Sequence, residues 1–302
     1  MKRFLHVAVP FIFITLVYGC AGMAASAEEY YSIGMAYFEM GKYEEAEAWL
    51  NRAKAAEKTM VASQYNLGRL AFERQRYHEA AGYFEDILKK DPNNTLALRA
   101  AAYARIYTGD MDIAQRHYSR LLELIPESAD DGYNHALVLY AMGRYSNAEE
   151  VLEKYRFSLQ DNSEIMLLYA RSQNAQNKVE AINGYSSWLN TNKDANVRYE
   201  YAQALEKHEL YARALEEYRM AIFETSASDG DLRKNIRFAL AKLLLIADSE
   251  SNEGITELQT AINEGFNDIA AVEELLTLKI SDAHISSIRE NIDNMRQAGT
   301  QD

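Results

Sequence analysis

A 34-residue pattern recurs along this chain, and it leaves few folds open. It is clearest from Val61 to Asn94. Tyr65, Leu67, Gly68, Ala71 and Phe72 fall at helical spacing, so they line one side of a first helix. Tyr77, Ala80, Phe84, Ile87 and Leu88 form a second apolar stripe at intervals of three and four. Gly68 has no side chain, which lets a second helix approach, and Ala80 is small where the two helices should cross. Lys89 and Lys90 place positive charge at the carbonyl end of the second helix, and Asp91-Pro92-Asn93-Asn94 stops it. Two antiparallel helices this short cannot bury both stripes, so the unit needs neighbours.

The neighbours are present. Residues 27–60 carry Ile33, Gly34, Tyr37, Gly41, Tyr43, Ala46, Leu50 and Ala53 at the same offsets as 61–94. Residues 95–128 keep Ala102, Gly109, Ala114, Tyr118 and Pro126, and 129–162 keep Ala136, Gly143, Tyr145, Ala148 and Leu152. These four units run without a gap, and chance does not hold such a register four times. The fifth, 163–194, is two residues short. Ala181, Tyr185 and Trp188 arrive one position early, which places a lost residue in the Asn174–Asn177 turn. Register returns over 195–228, and a degenerate seventh unit spans 229–266. Thr225 to Asp231 is the best candidate for a bend. The tail, 267–302, reads as capping helices, with Asp268 and Ser281 as N-caps and Ile285, Ile288, Ile292 and Met295 on one face. The scarcity of proline, 3 in 302 residues, leaves these runs free for helix.

Leu67 and Gly68 at positions 7 and 8, Ala80 at 20, Phe84 at 24 and Pro92 at 32 resemble the tetratricopeptide repeat. The resemblance implies an all-α protein, a right-handed α-solenoid of about seven helical hairpins with a C-terminal helical cap. It also implies that the first helices line a concave side, with positions 2, 5, 6, 9, 12 and 13 facing a ligand. In this chain those positions hold Tyr65, Asn66, Arg69 and Phe72, then Arg99, Tyr103 and Tyr107, then Tyr133, Asn134 and Tyr140, and last Arg171 and Asn174. Amides can bond a peptide backbone, rings can cover apolar side chains and guanidiniums can pair with carboxylates. Tyrosine and asparagine at positions 5 and 6 are also common in the repeat whatever it binds. The family's carboxylate clamp is not reproduced in the first unit, where Tyr31 stands at position 5 in place of lysine.

The chain opens with Lys2 and Arg3, an apolar run from Phe4 to Tyr18, and small residues beyond, the layout of a secretory signal peptide. The run is shorter than the roughly 20 residues that a membrane helix needs. Two cleavage points are open. Val17-Tyr18-Gly19-Cys20 resembles a bacterial lipobox, which makes 1–19 the signal, Cys20 the lipidated residue and 20–27 a tether. Ala25-Ser26-Ala27 is a site for ordinary signal peptidase, which makes 1–27 the signal. Cys20 is the only cysteine. The expected location is therefore the periplasm, with or without a lipid anchor in the envelope.

The net charge of −13 argues against binding a phosphate backbone. No two of the six histidines have metal-ligand spacing, and no P-loop, dinucleotide fingerprint or Gly-x-Ser-x-Gly occurs. His135 takes an apolar position and reads as a core histidine with a hydrogen-bond partner. Glu149-Glu150 and Glu216-Glu217 read as solvated faces, since adjacent helical residues point apart. No cofactor, metal or catalytic residue is expected. The sequence points to a non-enzymatic interaction scaffold of a bacterial cell envelope that holds a protein or extended peptide. A peptidoglycan- or glycan-binding component, stacking sugars on Tyr65, Tyr133 and Tyr140, is the alternative.

Overall fold

The computed structural model describes residues 26–155 and 163–298, so the apolar run, Cys20 and the lipobox cleavage point lie outside the described residues. Among the described residues every regular element is a helix. They follow as α1 (Ala27–Glu39), α2 (Tyr43–Ala56), α3 (Val61–Glu73), α4 (Tyr77–Leu88), α5 (Thr95–Thr108), α6 (Met111–Leu124), α7 (Ala129–Ala141) and α8 (Tyr145–Glu153). Then come α9 (Ser163–Ala175), α10 (Ala181–Leu189), α11 (Ala195–Lys207), α12 (Tyr211–Glu224), α13 (Gly230–Ala247), α14 (Asn252–Asn263), α15 (Ile269–Glu274) and α16 (Asp282–Ala298). The chain divides into two compact units, the first ending at Ala104 inside α5 and the second beginning at Arg105.

In the first unit α1 pairs with α2 and α3 with α4, and α2 packs on α3. Ala46, Leu50, Leu67 and Leu70 form its core under Tyr31, Tyr37, Phe38, Tyr43 and Tyr83. Gly68 does what its identity suggested: a methyl group there would sit 2.6 Å from the Phe84 ring. Ser26 begins α1 with a capping box, accepting from the Glu29 amide while Glu29 accepts from its own. Arg74 and Arg76, beside the α3–α4 turn, reach back to Glu47 of α2 at 2.9 and 3.0 Å.

The second unit repeats this arrangement through α7–α8, α9–α10, α11–α12 and α13–α14, each hairpin packing on the next. Its apolar seam is shared rather than divided. α9 contributes Ile165 and Leu168 to one cluster and Leu167 and Ala170 to the next. α13 contributes Leu240 and Leu244 on one side and Ala241 and Leu245 on the other. α15 and α16 close the end with Val272, Ile288 and Ile292. Asp268 caps α15 through the Ala271 amide, and Ser281 accepts from the His284 amide. His284 joins α16 to the α13–α14 loop through the Ser249 carbonyl and Asn252.

The hairpin turns share one left-handed residue at position 15: Gly41, Gly109 and Gly143 with φ of 72°, 80° and 72°, and Gln75, Asn177 and Glu209 with φ of 60°. Asn177 is therefore in register, and the Lys178 amide bonds the Gln173 carbonyl just as Arg76 bonds Ala71. This corrects the expected place of the deletion. The turn is intact, and the shortening falls after it, where Ala181 and Ile182 at the start of α10 bond back to Lys178 and Val179 in tight three-residue turns.

Candidate partner-binding face

The candidate residues fall into two groups, one in each unit, and each group is described by itself. In the first unit they are Tyr65, Asn66, Arg69, Phe72, Arg99 and Tyr103. Asn66 is only 5% exposed and is a strut: its amide donates to the Tyr31 hydroxyl at 3.0 Å and to the Ala62 carbonyl. Arg69 donates to Asn66 and lies over the Phe38 ring, 5.0 Å from its centroid. Tyr65 packs on Phe84 at 5.3 Å. Phe72 packs edge-on against Tyr77 and 5.2 Å from Tyr103, which leaves Tyr103, at 45% exposure, as the open ring of the group. Arg99 is half-buried.

In the second unit Tyr107 is 49% exposed, while Tyr133, Asn134, Tyr140, Arg171 and Asn174 are half-buried. Arg171 of α9 forks onto Glu200 of α11 with two bonds of 2.8 Å. Glu200 also accepts from the Tyr185 hydroxyl, and Asn174 donates to that same hydroxyl at 3.5 Å. The Glu200 hydrogen bonds hold the Arg171 guanidinium above its usual range. Burial, and then the Glu200 charge, push the Tyr140 hydroxyl up. Tyr140 stacks edge-on against Tyr145, and Tyr133 packs against the core of its hairpin. Tyr65, Tyr133 and Tyr140 are each half-buried and pack against a neighbouring ring or the hairpin core.

One repeat further on, the same face opens into a cleft of about 350 Å³ lined by Tyr199, Gln203, Glu206 and Lys207 of α11, Tyr218 of α12, and Phe238, Ala239 and Lys242 of α13. The Tyr218 hydroxyl donates to Glu206 at 2.6 Å, and burial together with that carboxylate pushes Tyr218 far up. Tyr199 leans on Tyr218 with centroids 5.9 Å apart, and Phe238 stacks on Phe266 at 4.3 Å. Asn174 is the last of the site residues expected from the sequence. The same positional rule, carried into 195–228, selects Tyr199, Gln203, Glu206 and Lys207 at positions 5, 9, 12 and 13. Phe238 and Lys242 had no such signal, because the register is lost in the seventh unit.

His135 is buried, with Nε2 3.3 Å from the Ser119 hydroxyl and Nδ1 without a partner. Burial, with Lys154 adding to it, lowers its pKa to about 4. The glutamate pairs split: Glu150 and Glu216 are exposed, but Glu149 accepts from Lys178, Gln176 and Gln173, and Glu217 accepts from Arg198. Arg105 folds back onto Asp110 at 2.7 Å. No helix among the described residues is long and apolar enough to cross a membrane.

Within each unit, helical hairpins stack one on the next, the architecture of a helical-repeat protein. The fold is the one tetratricopeptide-repeat proteins share, and residues 31–95 match the tetratricopeptide repeat family model. The fold is similar to a tetratricopeptide repeat protein of Parabacteroides merdae, at TM-score 0.58 and 19% identity over 83% of this chain and 97% of that one. It is also similar to YrrB, described as a TPR protein with an unusual peptide-binding site, at TM-score 0.54 and 14% identity over 63% of this chain and 96% of that one. A curated protein of Treponema pallidum (strain Nichols), described as an uncharacterized lipoprotein, is 25% identical over 158 residues, 52% of this chain and 81% of its own length.

Proposed function

We propose that this protein is a non-enzymatic adaptor that holds a partner protein, through an extended segment, on the face of its first helices. The observation that carries this is the second-unit face itself: Tyr140, the Arg171–Glu200 fork and the α11–α13 cleft line up on first helices, with aromatic floor and polar groups side by side. A mixed lining of this kind suits a peptide, whose backbone and side chains alternate polar and apolar demands. The peptide-binding site named for YrrB is in keeping with that use of the fold. Affinity capture from envelope extracts after cross-linking should recover a discrete partner, and an Arg171→Glu variant, which puts like charge against Glu200, should recover less of it. Recovery of nothing above an unrelated control, at any cross-linker, would count against the reading.

The same proposal places the protein in a bacterial cell envelope. The basic start, short apolar run and Cys20 support export with a lipid anchor, and so does the lipoprotein description of the Treponema pallidum relative. The protein should fractionate with membranes and Cys20→Ser should release it. Wild type that is already in the soluble periplasmic fraction means cleavage at Ala25-Ser26-Ala27 instead.

A further inference from the structure

We infer that the cleft between α11 and α13 is a subsite for one acidic side chain, an aspartate or glutamate with apolar neighbours, in the segment the protein holds. This deepens the proposed peptide-binding role and rests on it. Three first-helix arginines of this unit are matched with carboxylates, Arg171 with Glu200, Arg198 with Glu217 and Glu224, and Arg237 with Glu257 and Glu264, while Arg233 is held by Thr225. The two lysines of the cleft depart from that pattern. Lys207 reaches only the Asn174 carbonyl, at 3.4 Å, and Lys242 is half-buried with no ion pair among the described residues. Lys207 is exposed and Lys242 half-buried, and neither forms an ion pair with Glu206, the carboxylate of the lining.

The occupant follows from charge and shape. The lining holds two ammoniums and one carboxylate, Glu206, which is fixed by the Tyr218 hydroxyl. One positive charge is left over, which suits a single negative group. A chain end that is itself acidic brings two carboxylates against Glu206 and fits worse. Tyr199 and Phe238 supply an aromatic floor that the carboxylate does not need but its apolar neighbours do. The volume of about 350 Å³ holds a residue and part of the next, not a folded surface. Lysine ammoniums are point charges on flexible stems, so either acidic side chain can be reached.

The test is fluorescence anisotropy on the purified full chain with three labelled probes. One is a blocked, C-amidated Ser-Phe-Glu-Leu-Ser, the second its glutamine counterpart, and the third the glutamine peptide with a free C-terminal acid. The glutamate peptide should bind about fivefold tighter than the glutamine one, the scale of a partly exposed ion pair. Raising the salt should erode that preference. Lys242→Gln and Lys207→Gln should each reduce it, with helical content unchanged by circular dichroism. Glu206→Gln should increase it, an effect that loss of packing does not produce. Equal binding of the glutamate and amidated glutamine peptides overturns the subsite and leaves the groove reading standing. A free-acid glutamine peptide that binds as well as the glutamate peptide overturns the choice of a side chain over a chain end. If no probe binds while cross-linking from Tyr140 still captures a partner, the subsite alone falls; if that capture also fails, the groove reading falls with it.

Discussion

Gly68 shows how much one residue carries in this fold. A Cβ at that position would overlap the Phe84 ring at 2.6 Å, and Phe84 is itself buried between helices. Gly68→Ala should therefore cost about 1–3 kcal/mol through overpacking, read from denaturant midpoints. Gly82→Ala is the matched control: it is helical, nothing lies within 4 Å of its added carbon, and about 0.5–1 kcal/mol of stabilisation is expected. His135 makes a prediction in pH. The unfolded chain titrates near 6.5 and the folded one at about 4, so between those values the unfolded state binds more protons. Its contribution is fully present above pH 6.5 and is lost as the pH falls towards 4, by up to about 3 kcal/mol on that shift. Thermal melts from pH 7 to 4 should show that slope, and His135→Leu should flatten it. An unchanged slope in the variant contradicts the assignment. Gly68 and His135 were legible because position in the repeat decides what each meets. The choice between Glu149 and Glu150 was not, because it depends on where Lys178 of the next hairpin stands.

Between elements, the repeated device is a polar bridge from one hairpin's turn to the preceding second helix. Arg74 and Arg76 reach Glu47, Arg144 reaches Asp112, and Lys178 with Gln176 reaches Glu149. Burial acts to raise the Glu149 pKa, but the bonds from Lys178, Gln176 and Gln173 outweigh it and hold the carboxyl below its usual range. Glu149→Ala should destabilise by about 1–2 kcal/mol, since it strips the partner from three donors at once. Glu150→Ala, one residue on and exposed, should stay within about 0.5 kcal/mol. Comparable losses in the two variants would show that the bridge is not what joins α8 to α9. The shortened α10 also belongs to this scale. Core spacing revealed that residues were missing, but only backbone geometry could show that the Asn177 turn was kept and the start of the helix trimmed.

Across the whole molecule, the all-helical architecture was readable because a 34-residue register fixes hairpin after hairpin, each needing the next to cover its stripe. The candidate face was readable only in part. Positions 5, 9 and 12 select Tyr133, Arg171 and Asn174, but the contacts that Asn66, Arg69, Arg171 and Asn174 make within the protein follow only from the packed helices. The cleft depends on α13, whose sequence had drifted out of register, so Phe238 and Lys242 emerged only once the helices were in place. The central claim is that partners are held by first helices. Its most direct test is photo-cross-linking in cells from Tyr140 and Gln203 on first helices, set against the exposed Glu150 and Glu216 on second helices. The expected result is a shared discrete product from the first pair and none from the second; equal products from both pairs, or products from the second pair alone, would contradict it.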